Sequence, residues 1–305
     1  MKRVVLSLIL ALGFGIAAGA QEQSMVFTRI PADPALAGTA GASAASSESV
    51  NWAAFGNSAA MAFHNGRFGV SADYSQWAHS ALGSDRMAIA SFISLGPRFK
   101  LSLAALYGMG ASYEMIDDRG VSTGEFQMSD MMGAVGISLL LAPQLSVGVN
   151  ARYAMQQLDR SGGPSSVMAD AYLMYKLGAV QLSAGAMSLG PGTKDEAGAS
   201  FGAPASGNLA AWAEFPVSVH SFGVGLDSDV FFNGGVSVSA GAEYSFNKML
   251  FARAGYHFAT DKAPIPSYAS AGLGVKIAGV TLDAAYFLGS STVGGSLNLA
   301  LGCRF

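Results

Sequence analysis

Few residue groups in this 305-residue chain have the types and spacing to do chemistry. Ser200 sits in "GASFG", a G-x-S-x-G match, the pattern that raises a serine nucleophile on a strand–turn–helix elbow. The match falls in a long connection around residues 190–206 of a Gly/Ser-rich chain, so chance repetition explains it better than a hydrolase. His64, His79, His220 and His257 are far apart and lack metal-ligand spacing; His257 reads as a satisfied polar residue near a loop. Asp117, Asp118 and Glu125 in "IDDRGVSTGE" offer oxygen donors for a cation, and a solvated turn is the simpler reading. "AGTAGASAA" has too little glycine pattern, and no strand before it, to cradle a phosphate. The single cysteine, Cys303, excludes an intramolecular disulfide and a cysteine zinc cluster. No catalytic constellation emerges, and the chain is read as a non-enzyme with no cofactor and no metal.

The elements around these residues are more informative. Apolar residues make up 51% of the chain and charged residues 12%, about half the usual charged share. A soluble domain with so little charge has trouble covering its surface. The net charge of -3 gives no basis for a nucleic-acid partner. Residues 1–20, "MKRVVLSLILALGFGIAAGA", have a basic start, a short apolar run and an A-x-A-like end, which reads as a secretory signal peptide. No later run is long enough for a transmembrane helix.

The apolar excess lies in alternating segments. In "LSVGVNARYAMQ", Leu145, Val147, Val149, Ala151, Tyr153 and Met155 alternate with Ser146, Gly148, Asn150, Arg152 and Gln156. About fourteen such segments run from Arg67 to Phe305, and the final one, "LNLALGCRF", ends the sequence on an aromatic. Charged residues avoid the apolar parity: Asp73, Glu114, Arg152, Asp170, Lys176, Glu214, Asp227, Asp229, Glu243, Arg253, Lys276, Asp283 and Arg304 all take the other side. Trp212 and Phe251 share that charged parity. A lipid-facing surface imposes such exclusion, because Lys or Arg at the bilayer midplane costs about 2–4 kcal/mol. Arginine at Val149 is therefore expected to impair assembly, and at Asn150 to be better tolerated.

Short joints near 95–98, 142–144, 177–179, Pro216, 247–248 and 278–279 alternate with longer connections. "FFNGG" at 231–235 is shorter than its place in that alternation requires. Short turns on one rim and long loops on the other fit an all-β outer-membrane barrel of about fourteen antiparallel strands over residues 67–305, in the cell outer membrane of a Gram-negative bacterium. Tyr113, Tyr153, Tyr175, Phe215, Phe246, Phe258, Tyr286 and Phe305 are placed for its interfacial girdles. Its second face, mostly Gly, Ser and Ala, suits a narrow or filled lumen.

Residues 21–66 show no sustained alternation and are too apolar for a simple disordered linker. They fit a plug inside the barrel, with a loosely ordered periplasmic tail as the alternative. The candidate plug and lumen residues are Phe27, Trp52, Asn57, Phe63, Arg152, Glu243 and Arg253.

"FTRIPADPALAGTAGASAASSESVNWAAFGNSAAMAF", "GRFGVSADYSQW", "LFARAGYHF" and the closing "SAGLGVKIAGVTLDAAYFLG" and "LNLALGCRF" resemble PorV/PorQ-type proteins, a branch of the FadL-like barrels. The resemblance implies fourteen strands and an N-terminal segment in the lumen. One departure is that the family's Asn-Pro-Ala reads Asn57-Ser58-Ala59 here, without the proline that would fix a turn. The PorV-like branch implies a component of type IX protein secretion, working through secretion-system or exported protein partners. The alternative is a FadL-like channel for a hydrophobic, fatty-acid-like ligand. In both, the barrel's immediate surroundings are outer-membrane lipid.

Overall fold

The computed structural model describes residues 23–48, 50–78, 83–160, 162–194, 200–289 and 292–305. The expected signal peptide and His79 lie outside the described residues. The strands are β1 (Phe68–Trp77), β2 (Ser84–Ser94), β3 (Phe99–Ile116), β4 (Ser122–Ala142), β5 (Leu145–Gln157), β6 (Ser165–Leu177), β7 (Val180–Leu189), β8 (Thr193–Lys194), β9 (Ser200–Phe201), β10 (Ser206–Val217), β11 (His220–Phe231), β12 (Val236–Phe246), β13 (Leu250–Ala259), β14 (Tyr268–Ile277), β15 (Val280–Leu288) and β16 (Leu297–Arg304). Fourteen of them form one closed antiparallel barrel, and β8 and β9 pair only with each other in the loop between β7 and β10. Closure is made by β1 on β16, from Gly69 opposite Arg304 to Gln76 opposite Leu297. Both edges of the last strand are thereby paired, so none of its backbone is left open to lipid.

Each strand separates two environments. In β5, Ser146, Gly148, Asn150, Arg152 and Ala154 are buried, while Val149, Ala151 and Tyr153 are exposed on the outside. Asp73, Arg86, Asp170, Asp227, Asp229 and Arg253 all take the buried, inward side. Trp212 is also buried there, which explains why it shares the charged parity. Phe251 lies beneath the Arg253 guanidinium, 5.1 Å from ring centre to Cζ.

The rims follow the connection lengths. Two-residue turns link β6 to β7 and β14 to β15, and residues 190–205 and 289–296 supply longer connections on the other rim. One sequence expectation shifts: Pro216 stays within β10, opposite Ser221, and the turn comes at Ser218, with φ 58°. Phe68, Phe99, Phe215, Phe222, Phe246 and Phe305 are exposed near the short-turn rim. Tyr74, Tyr107, Tyr153, Tyr256, Phe258 and Tyr286 are exposed toward the long-loop rim. Tyr113 and Glu114 depart from their expected places. After a bulge between Met109 and Ser112, β3 continues with β4 as a protruding hairpin, where both residues are exposed. Asp117 lies near the hairpin's tip, and its Oδ1 accepts from Arg119 N and Val121 N at 2.9 Å each.

The segment before β1 folds as short helices. Asp33 begins α1 (Pro34–Gly38) by accepting from Ala35 N at 2.9 Å, with Pro34 supplying a preset φ at the first helical position. Asn57 starts the 3₁₀ turn Ser58–Phe63 in the same way, accepting from Ala59 N at 3.1 Å, so this turn forms without a proline. The segment's backbone lies directly against inward-facing glycines. A Cβ on Gly148 would strike Ser58 and Ala59, one on Gly241 or Gly255 would strike Thr39, and one on Gly272 would press on Gly38. The small residues of the inner face are thus places of close backbone approach.

Candidate functional site

Three ionic groups line the lumen where the N-terminal segment meets the wall. Arg152 on β5 and Asp170 on β6 form an ion pair with both side chains fully buried. Asp170 Oδ1 also accepts from Ser188 N at 2.7 Å, and Arg152 Nη2 donates to Ser188 Oγ at 3.0 Å. These bonds hold Ser188 at φ 54°, where β7 carries one more residue than β6. Asn150 Nδ2 joins the group, donating to Asp170 Oδ2 at 3.3 Å and to Gly56 O at 2.6 Å.

The second group centres on Arg29, whose Nη2 meets Asp229 Oδ2 at 2.7 Å and whose Nη1 lies 3.3 Å from Met187 Sδ. Burial lowers the Arg29 pKa, but the surrounding anions, Asp229 foremost, outweigh it and leave the group above its ordinary value. Asn208 Nδ2 donates to Asp227 Oδ2 at 2.9 Å and to Asp229 Oδ1 at 3.2 Å. Two carboxylates on one strand face are thus joined through an amide, and Arg29 supplies the opposing charge. In the third group, Arg253 bridges Glu243 at 2.6 Å and Asp283 at 2.7 Å.

Two cavities lie against the segment among the described residues. The upper one, toward the long-loop rim, has a volume of about 180 Å³. Ile30, Leu36, Phe55, Met132, Met187 and Ile265 give it an apolar lining. Arg152 Nη1 and Tyr172 Oη belong to side chains of this lining and have no hydrogen-bond partner among the described residues. It can therefore enclose an apolar body and still offer a few polar contacts, the usual make-up of a small-molecule site. The lower cavity, of about 60 Å³, lies toward the short-turn rim beside Glu48, Glu243, Arg253, Lys276, Asp283 and Arg304.

The residues expected to matter fall into four sets. Asn57 and Arg152 line the upper cavity, Glu243 and Arg253 the lower, and Trp52 both. Phe27 packs instead in an apolar cluster with Leu106 and Met132, and Phe63 packs against the cluster of Tyr172 and Met174. His257 has its Nδ1 bonded to Ser239 Oγ at 2.9 Å and its ring stacked on Tyr268. Ser200 lies exposed in the two-residue β9, without the strand–helix elbow its motif needs. Sequence reasoning did not single out Arg29, Met187, Tyr172 or the Asp227–Asn208–Asp229 group as a site. Asp227 and Asp229, two apart on the inward parity of a charge-poor chain, carried the signal that would have pointed to them.

No family model matches this chain, and no curated protein does. Solved structures do match. The Ralstonia pickettii toluene transporter TbuX aligns at 13% identity and a TM-score of 0.61, covering 89% of this chain and 98% of that one. A Pseudomonas aeruginosa FadL homologue aligns at 12% identity and a TM-score of 0.57, covering 90% and 98%. The Acinetobacter baumannii outer membrane protein Omp33 aligns at 11% identity and a TM-score of 0.50, covering 79% and 98%. The chain has the fold of the FadL-type outer-membrane barrels. With its apolar outer belt and aromatic rims, that fold places the protein in a Gram-negative outer membrane. At these identities the likeness covers the FadL-type fold alone, and the cavity chemistry is this chain's own.

Proposed function

We propose that this FadL-type barrel takes up hydrophobic small molecules across the outer membrane, with residues 21–66 as a lumen plug and the upper cavity as the binding site. The observation that carries the reading is the size and lining of that cavity. An engineered apolar cavity of about 150 Å³ accommodates benzene, and the upper cavity, at about 180 Å³, is slightly larger and mostly apolar. A ligand of about one aromatic ring, with at most one or two polar atoms to meet Tyr172 or Arg152, suits it. The described fold is also shared with TbuX, a toluene transporter. The type IX secretion role rests on the resemblance of the N-terminal stretch, and the mostly apolar cavity favours the channel.

Calorimetric binding of toluene to the purified protein, together with uptake of radiolabelled toluene by Gram-negative cells expressing it, tests the proposal. The wild type is expected to bind and to raise uptake. Met187→Trp, which fills the cavity, is expected to lose both. Absence of binding by the wild type, or uptake indifferent to Met187→Trp, overturns the reading. Recovery of a stable secretion-system partner from native outer membranes would turn the function back toward secretion.

A further inference from the structure

Two donors in the lining of the upper cavity, Arg152 Nη1 and Tyr172 Oη, are buried without a hydrogen-bond partner among the described residues. A buried donor keeps its desolvation cost until something accepts from it. The Arg152 side chain is fully enclosed, whereas Tyr172 keeps 5% of its surface exposed, so the tyrosine is the one a ligand reaches more readily. Tyr172 faces inward on β6 and packs with Ala59 and Ala60 of the N-terminal segment. It lies within electrostatic reach of both buried pairs, Arg152–Asp170 and Arg29–Asp229. The lining's charges are unequal. It holds two arginines, Arg29 and Arg152, against three carboxyl groups, Asp33, Asp227 and Asp229, and both arginines are already paired with aspartates. An entering carboxylate therefore meets other carboxylates rather than a spare cation.

We propose that the upper cavity selects neutral hydroxylated monoaromatics, of the benzyl alcohol type, over aromatic hydrocarbons and over aromatic ions, with Tyr172 as the selecting residue. A ligand hydroxyl accepts as well as donates. Its oxygen takes the Tyr172 O–H, and its own proton finds acceptors in a lining rich in carboxyl groups. A hydrocarbon fills the apolar space and leaves Tyr172 unpaired. An ammonium ligand has donors only and leaves it unpaired too. A carboxylate could accept from it, but enters against Asp227 and Asp229. The inference rests on the uptake reading for the cavity's role and names the class of molecule the cavity takes. Tyr172→Phe is the diagnostic change, because it keeps the ring's packing and removes a hydroxyl that no protein group bonds.

The test is calorimetry on the full mature chain at pH 7 with four ligands of similar size: toluene, benzyl alcohol, benzylamine and benzoate. Wild type should bind benzyl alcohol about tenfold more tightly than toluene, the worth of one hydrogen bond to an otherwise unpaired donor. Benzylamine and benzoate should bind more weakly than benzyl alcohol. In Tyr172→Phe the preference should vanish, with benzyl alcohol falling to the level of toluene. Toluene affinity and heat-modifiable migration should stay at wild type, which separates lost selection from lost structure. Equal wild-type binding of toluene and benzyl alcohol, or a preference unchanged in Tyr172→Phe, would overturn the selection and leave the uptake reading standing. Benzylamine or benzoate bound more tightly than benzyl alcohol would overturn it in favour of an ionic ligand. Failure of all four to bind would remove the uptake reading, and this inference with it.

Discussion

Val149 and Asn150 are consecutive residues of β5, yet Val149 is 52% exposed on the outer face and Asn150 is 2% exposed in the lumen. On the outer side, any residue of low polarity serves, because lipid is a uniform solvent with no shape to match. On the inner side, each group has a particular partner: Asn150 reaches Ala53 O and Gly56 O on the N-terminal segment and Asp170 on the wall. One face is specified by composition and the other by individual contacts. The same substitution should therefore fail for different reasons on the two faces.

The largest effect is expected inside. Arg152→Met leaves Asp170 buried without its cation, and breaking a buried pair in this way costs about 3–5 kcal/mol. Urea unfolding in lipid or detergent should show the loss, and Asp170→Asn in the same background should recover part of it. On the outer face, Val149→Arg is expected to cost about 2–4 kcal/mol if the residue lies near the midplane. Asn150→Arg, which parity alone marks as tolerable, should also destabilise, because the structure fills the space it would need. Equal stability of Asn150→Arg and wild type would show that the lumen contacts are not formed.

Two glycines sharpen the contrast at smaller scale. A side chain at Gly133 on the outer face meets nothing within 4 Å, whereas one at Gly148 collides with Ser58 and Ala59. Gly148→Val should cost about 1–3 kcal/mol by overpacking, or loosen the N-terminal segment, and Gly133→Val should be near neutral. Limited proteolysis of residues 23–66 distinguishes loosening from a general loss of stability.

The smallest effect concerns pH. Burial, reinforced by the nearby positive charge of Arg304, lowers the pKa of His64 from its ordinary 6.5 to about 4. The folded state thus disfavours the protonated ring. Stability from this site is complete above pH 6.5 and is lost as the pH falls from 6.5 through about 4. His64→Gln should flatten that part of the unfolding-midpoint profile and leave the profile above pH 7 unchanged.

The same contrast explains what the sequence disclosed. Strand parity was legible because lipid enforces it residue by residue, and Trp212 and Phe251 share the charged parity because both face inward. The start of the Ser58–Phe63 turn was less so, since Asn57 caps it without the proline expected there. The short joint near Pro216 falls two residues further on, at Ser218, because Pro216 still pairs with Ser221. The ion pairs were not legible at all. Arg29 and Asp229 are 200 residues apart, and Arg253 takes one carboxylate from the adjacent strand β12 and the other from β15, across β14. Such pairings follow from barrel register and from the path of the N-terminal segment, neither of which leaves a periodic trace. The cavity belongs to the same class, being the space those contacts leave unfilled.

In the proposed function the N-terminal segment is a plug that closes the lumen. Deleting Gln21 to His64 behind the signal, and recording single channels in planar bilayers, tests it most directly. The intact protein should be essentially silent in KCl, and the deletion should give large, sustained conductance through a barrel that still shows heat-modifiable migration. Porin-like conduction by the intact protein, unchanged by the deletion, would contradict the claim.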